Sequence, residues 1–270
     1  MHIYANTKDG IETRHKAPYA KPRFDSDGNE IFRDATLRDF KKWLSEGEKV
    51  APSVTTVLDI FDKPALMNWK IGEHLKSVWQ LINSYFIHII LNDDFEKFAD
   101  KVKIVTKERL DQAPKAGTDF HKSIEKAIVE YKTGVMPNEL ELKVIELIKE
   151  KTDSQVSDWK SEINIFSDEY AGQCDLFIPA GEENDAWVID FKTKETKDKF
   201  KPGKMAFWQS HLSQLMAYSA ELDFEARVAN VFVCLETGEI DFHEWTDEEL
   251  KTKAWEYFMM GVNAWWIANV

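Results

Sequence analysis

Cysteine is scarce in this chain: Cys174 and Cys234 are the two among 270 residues. Two thiols cannot build a disulfide framework, nor the four-thiolate cage of an iron–sulfur cluster. A reducing, cytoplasmic location is therefore expected, with no iron–sulfur cofactor. Long apolar runs are missing too. The most apolar stretch, VWQLINSYFIHIIL at 78–91, holds Gln80, Asn83 and His88 and is too short to cross a bilayer. It is expected to form a buried helix, and no membrane partner is expected. The opening MHIYANTKDG lacks the charged start and apolar run of a secretory signal. Repeats and low-complexity tracts are absent. Basic excess is absent as well: 35 Lys and Arg stand against 48 Asp and Glu, a net charge of -13. Affinity for phosphate backbones comes mainly from Lys and Arg, so composition alone argues against a nucleic-acid binder unless a local cluster or bound cations overcome it.

What is present is enough for a core. Hydrophobic residues make up 43% and aromatic residues 13%, which excludes wholesale disorder. One domain over 1–270 is the expectation at this length. Residues 1–50, with turn signals KDG and SDGNE, read as hairpins and loops before a short helix at LRDFKKWL. Residues 51–151 read as helical, with PSVTTVLDIF, then a helix with Pro64 near its start, then GTDFHKSIEKAIVEY and NELELKVIELIKEK. Residues 155–270 change texture. WKSEINIF, YAGQCDLFI and AWVIDFK are β-prone runs that predict a three-stranded meander. FWQSHLSQLMAYSAEL predicts a helix, and ARVANVFVCLE with EIDFHEW a hairpin around TG. A closing helix follows, with Thr246 as N-cap and Glu249 completing a capping box. The order is that of a mixed α/β fold.

The end of the third run, WVIDFKTKE at 187–195, departs from strand chemistry. Side chains alternate along a strand, so Val188, Asp190 and Lys192 share one face. Paired with the preceding strand as a hairpin, Asp175 meets Asp190 beside Lys192. Two carboxylates held together repel, so one takes a proton or a cation sits between them. Oxygen ligands of this kind suit Mg²⁺ or Mn²⁺. Such an ion can activate a water and neutralise charge on a phosphate under attack, and an adjacent lysine can stabilise the charge that develops. The alternative for each of these residues is a solvated ion pair or turn-flanking aspartate.

Asp175 followed by Asp190-Phe191-Lys192 resembles the PD-(D/E)xK nuclease superfamily. GTDFHKSIE at 117–125, GQCD at 172–175 and QLMAY at 214–218 resemble its RecB-like, phage-type exonuclease branch, in the branch's order across residues 117–218. PSVTTVL and LMNWK are similar, more loosely, to the N-terminal region of phage-type and mitochondrial exonucleases. Cys174 stands where the superfamily often has proline. The resemblance implies a restriction-endonuclease-like core, a mixed central sheet of a meander plus a C-terminal hairpin flanked by helices. It implies a Mg²⁺- or Mn²⁺-dependent DNA exonuclease in phage-type or bacterial recombination, repair or degradation. Asp175, Asp190 and Lys192 would be catalytic, and His121, Asp175, Asp190 and the Phe191 carbonyl would be metal ligands. The partners implied are DNA and either further copies of the chain or a recombination protein such as a single-strand annealing protein.

Several residues keep two readings. His121 borders the apolar stripe of Phe120, Ile124, Ile128 and Tyr131 and is either a ligand or a packed histidine. Glu125 either supports the metal or pairs with Lys122 or Lys126. Glu162 matches an acidic position of the family and equally suits a solvated strand. Gln214 and Tyr218 share a helix face and either contact the nucleic-acid strand or pack the helix. KTKETKDKFKPGK at 192–204 holds six lysines against two acids, a net of +4. Its Lys197, Lys199, Lys201 and Lys204 either guide phosphates or face solvent, with Phe200, Phe207 and Trp208 available to stack on bases or pack inward. A structure-selective endonuclease on the same fold and a non-catalytic nucleic-acid-binding protein remain the alternatives.

Overall fold

The computed structural model describes the chain apart from residues 1, 15, 26, 28, 62–63, 84–94, 183, 195–199 and 201–208. Turn chemistry sets its N-terminal part. Strands β1 (Ile3–Thr7) and β2 (Gly10–Thr13) form a hairpin that closes on Gly10, whose φ of +126° only glycine adopts without strain. Strand β3 (Lys16–Phe24) pairs with β4 (Glu30–Asp34) as a separate ribbon, its register shifting between Pro18 and Arg23. Helix α1 (Leu37–Ser45) follows, started by a reciprocal Thr36–Asp39 capping box. Strand β5 (Val50–Pro52) then joins β1 in a small antiparallel sheet, and Ser53 caps the short α2 (Val54–Leu58).

Two long helices come next, α3 (Pro64–Asn83) and α4 (Phe95–Lys132), and then α5 (Glu139–Thr152). The described residues divide into two compact units, 62–123 and 1–61 with 124–270, where the sequence was read as one domain. Helix α4 passes from the first into the second. The helix expected at 78–91 is present over its described part but is not buried there. Residues 78–83 belong to α3, where Trp79 is 70% exposed while Glu73 and Ser77 are buried. The helical period is the reason, because Ile71, Leu75 and Trp79 fall on one face and Glu73 and Ser77 on another. The inward polar groups are satisfied locally: Ser77 donates to the Glu73 carbonyl at 2.8 Å and Lys76 to the Glu73 carboxylate at 2.7 Å. Residues 84–91 lie outside the described part.

The larger unit is built on a five-stranded mixed sheet. Strands β6 (Lys160–Phe166), β7 (Ala171–Ile178) and β8 (Trp187–Lys194) form the antiparallel meander. Helix α6 (Gln209–Leu222) carries the chain over to β9 (Arg227–Cys234), parallel to β8, and β9 turns into β10 (Ile240–Trp245). The spatial order is β10-β9-β8-β7-β6. A helical crossover is what a parallel neighbour requires, since a tight turn can join only antiparallel strands. Val188 and Val228 of the sheet join Leu212, Leu215 and Met216 of α6 and Ala254, Phe258 and Val262 of the closing α7 (Glu248–Asn269) in one buried cluster with Phe40 and Val57.

That closing helix starts differently from the expectation. Asp247, not Thr246, is the N-cap, accepting from the N–H groups of Glu249 at 3.0 Å and Leu250 at 3.1 Å. Trp245 is still paired with Val228 in the β9–β10 ladder, so Thr246 is spent leaving the sheet and the next acceptor caps the helix. Among the described residues no helix is long and apolar enough to cross a membrane.

Candidate active site

The β7–β8 ladder stops at Leu176↔Ile189, one residue short of Asp175 and Asp190. There the Asp175 carboxylate takes over from the backbone, accepting the Phe191 N–H at 2.8 Å. The same interruption is felt on the other side. Between the pairs Ser161↔Leu176 and Ile163↔Cys174 lies Glu162, whose φ of +52° is left-handed in mid-strand. A non-glycine residue there costs about 1–2 kcal/mol and persists only where its surroundings enforce it. The consequence is chemical: the Glu162 and Asp175 carboxylates offer ligand atoms within 4.8 Å of one another, both half-buried. Like charges that close favour a cation between them.

Asp190 has partners of its own. It is 1% exposed, and both its oxygens are engaged: Lys192 Nζ lies 2.8 Å from Oδ1 and 2.7 Å from Oδ2, and the Asn230 amide donates to Oδ2 at 2.8 Å. The fold also brings Glu162, from the neighbouring strand, to Asp175. Lys192 donates further to Gln214 Oε1 at 3.2 Å, and Gln214 donates to the Tyr218 hydroxyl at 2.9 Å. Gln214 and Tyr218 therefore act on the lysine side of the site, and Tyr218, 3% exposed, has no surface to offer a ligand. Burial, before any charge, drives its hydroxyl pKa well up, so it stays protonated.

Gly172 explains itself in this setting. A Cβ at that position would lie 2.8 Å from Tyr218 Cε1 and 3.4 Å from Val54 Cγ2. The glycine of GQCD is the space into which the tyrosine of QLMAY packs. Cys174, buried beside it, has its thiol pKa pushed up by burial and then by Asp175, which keeps it a protonated core residue.

The remaining expected residues fall as follows. His121 is half-buried on α4, its ring edge-on to Phe120, in the unit of residues 62–123. Glu125 is half-buried on the same helix, and Lys126 pairs with Glu130 at 3.2 Å. Phe191 is buried and aligned with Val231 of β9. Phe200 packs inward against Phe232 and Cys234. Lys197, Lys199, Lys201, Lys204, Phe207 and Trp208 lie outside the described residues.

Two titratable groups escaped the sequence reading. Tyr4 of β1 is 7% exposed, and its pKa is raised to about 12 by burial and then by the Glu162 charge, which brings the N-terminal hairpin into the electrostatics of the site. His211 of α6 is held neutral, its pKa lowered to about 3 by burial and then by Lys192 and Lys194, with Nδ1 buried and unpartnered.

No family model and no curated protein matches the chain. Among the solved structures that match is one described as "Crystal structure of SSO0001", 18% identical over 44% of this chain, with a TM-score of 0.26. The chain spans 56% of that structure's length. An overlap of that size leaves fold and activity to be argued from the chain's own residues.

Proposed function

We propose that the protein is a metal-dependent deoxyribonuclease with a restriction-endonuclease-like core, acting as an exonuclease on linear DNA. The observation that carries this reading is the Glu162–Asp175 pair, two carboxylates brought within 4.8 Å at the cost of a left-handed residue in mid-strand. A purely structural strand has no reason to hold that strain together with that repulsion. The donors fit a hard divalent ion, Mg²⁺ or Mn²⁺, for which carboxylate oxygens are the preferred ligands. Glu162 and Asp175 would hold the ion.

The order of a meander, a helical crossover and a parallel strand, with the D-x-K motif on the third meander strand, supports placement in the PD-(D/E)xK superfamily. When bound, the ion neutralises phosphate charge and lowers the pKa of a water. Lys192 stabilises the negative charge that builds on the attacked phosphate. Asp190 and Gln214 aim its ammonium, and Tyr218 fixes Gln214. Phe191, drawn by its N–H onto Asp175, ties the lysine strand to the carboxylate pair.

The test is incubation of the protein with end-labelled linear and covalently closed DNA, with and without Mg²⁺. Mg²⁺-dependent loss of linear DNA with closed circles intact supports the exonuclease. Equal cutting of closed circles makes it an endonuclease, and no cutting in any divalent ion removes the catalytic reading.

A further inference from the structure

Strand β9 reads RVANVFVC, and seven of its eight residues are buried. Asn230 stands in the middle of it with no solvent exposure. A buried amide is retained where its hydrogen bonds are made, and Asn230 makes them on both sides. In the parallel register it lies beside Asp190, and in the antiparallel register beside His243, so one row crosses β8, β9 and β10. Its Nδ2 donates to Asp190 Oδ2 at 2.8 Å, and its Oδ1 accepts from the Trp245 indole N–H at 3.0 Å.

The indole fixes which way the amide faces. An indole nitrogen is a donor only, so the atom of Asn230 opposite it is the carbonyl oxygen, and the amino group is turned onto Asp190. Asp190 then presents an ordered carboxylate to Lys192, whose ammonium it holds through both oxygens. Gln214 braces the ammonium from α6.

We infer that Asn230 is a positioning residue for Lys192: oriented by Trp245, it sets the Asp190 carboxylate that aims the ammonium. The inference rests on the nuclease reading for its catalytic consequence, but the positioning itself can be seen without catalysis. Trp245 is the remote handle. Phenylalanine keeps a ring beside His243, against which Trp245 stacks edge-on at 4.6 Å, and deletes the donor that orients the amide.

The experiment uses the full chain in three forms: wild type, Asn230→Ala and Trp245→Phe. Steady-state cleavage of end-labelled linear DNA in Mg²⁺ gives kcat and KM, and ¹⁵N-detected spectra of lysine ammonium groups report whether Lys192 is held, because a fixed ammonium exchanges its protons slowly. Both substitutions are expected to lower kcat by about 10- to 100-fold, as loss of supporting partners typically does. KM should stay within about twofold, since no contact with DNA is removed. The Lys192 ammonium signal should be present in wild type and lost in both variants. An unchanged kcat, a loss confined to KM, or a persistent Lys192 signal overturns the inference. Where Asn230→Ala does not fold, Trp245→Phe decides. Where wild type itself cuts no DNA, the nuclease reading falls and the lysine signal alone decides whether Asn230 positions Lys192.

Discussion

Replacing Glu162 by glycine should make the metal-free protein more stable. The left-handed φ of +52° costs about 1–2 kcal/mol for a residue with a Cβ, and glycine removes that cost. Two unit charges at 4.8 Å repel by about 1 kcal/mol in a water-like medium and by about 3.5 kcal/mol at an effective dielectric constant of 20. Both groups are half-buried and reached by solvent, so the lower end applies. Against these gains, glycine in a strand loses about 0.5–1 kcal/mol of backbone entropy. The net expectation is a gain of about 1–2 kcal/mol, or a rise in melting temperature of about 2–4 °C per kcal/mol for a chain of this size. Glu162→Gln separates the two causes, because it removes the charge but keeps the backbone, and should gain only about 1 kcal/mol. The assay is urea unfolding of the three proteins with and without Mg²⁺. A ligand at 100 times its Kd adds about 2.7 kcal/mol to the form that binds it, so Mg²⁺ should stabilise wild type and neither variant to the same degree. A destabilised Glu162→Gly, or one that Mg²⁺ stabilises as strongly as wild type, refutes the reasoning.

Other expectations follow from the same geometry. Lys192→Met should lower kcat about 100-fold or more with little change in KM, read in steady-state cleavage of linear DNA; an effect on KM alone would make the lysine an ordinary phosphate contact. Gly172→Ala drives a Cβ to 2.8 Å from Tyr218 and should cost about 1–3 kcal/mol in urea unfolding, with an unchanged midpoint arguing against that packing. His211 has a folded pKa of about 3 against an ordinary value of 6.5, so below about pH 6.5 the unfolded chain takes up a proton that the folded one refuses. Stability is therefore whole at pH 7 and falls as pH drops towards about 3, by up to about 1.4 kcal/mol per unit from this group. His211→Gln should lose less stability than wild type between pH 7 and pH 5, by about 2 kcal/mol, and equal losses would show that His211 is protonated in the folded state.

The sheet was legible because its strands are short, β-branched and bounded by turn residues, and the crossover helix because QSHLSQLMAYSAEL has room and propensity for nothing else between two strands. Gly172, Gln214 and Tyr218 were legible as spacing, but not as a packing unit, since no pattern in one sequence says that a tyrosine ring fills a glycine's empty side. Glu162 kept two readings because its φ is set by how β6 and β7 diverge, a tertiary effect. Asn230 did leave a signal, a lone amide inside RVANVFVC, and its meaning depended on Trp245, fifteen residues later and across a hairpin. The α3 stretch misled because apolar content was taken for burial, whereas the helical phase turned its polar face inward.

The carboxylate pair is tested most directly by Asp175→Asn. This substitution keeps the side chain's shape and an oxygen for the Phe191 N–H while removing the charge that Glu162 and Asp175 jointly present. Wild type and variant are compared on end-labelled linear DNA across a Mg²⁺ titration, with urea unfolding as the check that the variant is folded. A folded Asp175→Asn protein that leaves linear DNA intact at Mg²⁺ concentrations where wild type degrades it is the predicted result. A variant that degrades DNA at the wild-type rate and with the same Mg²⁺ dependence would contradict it.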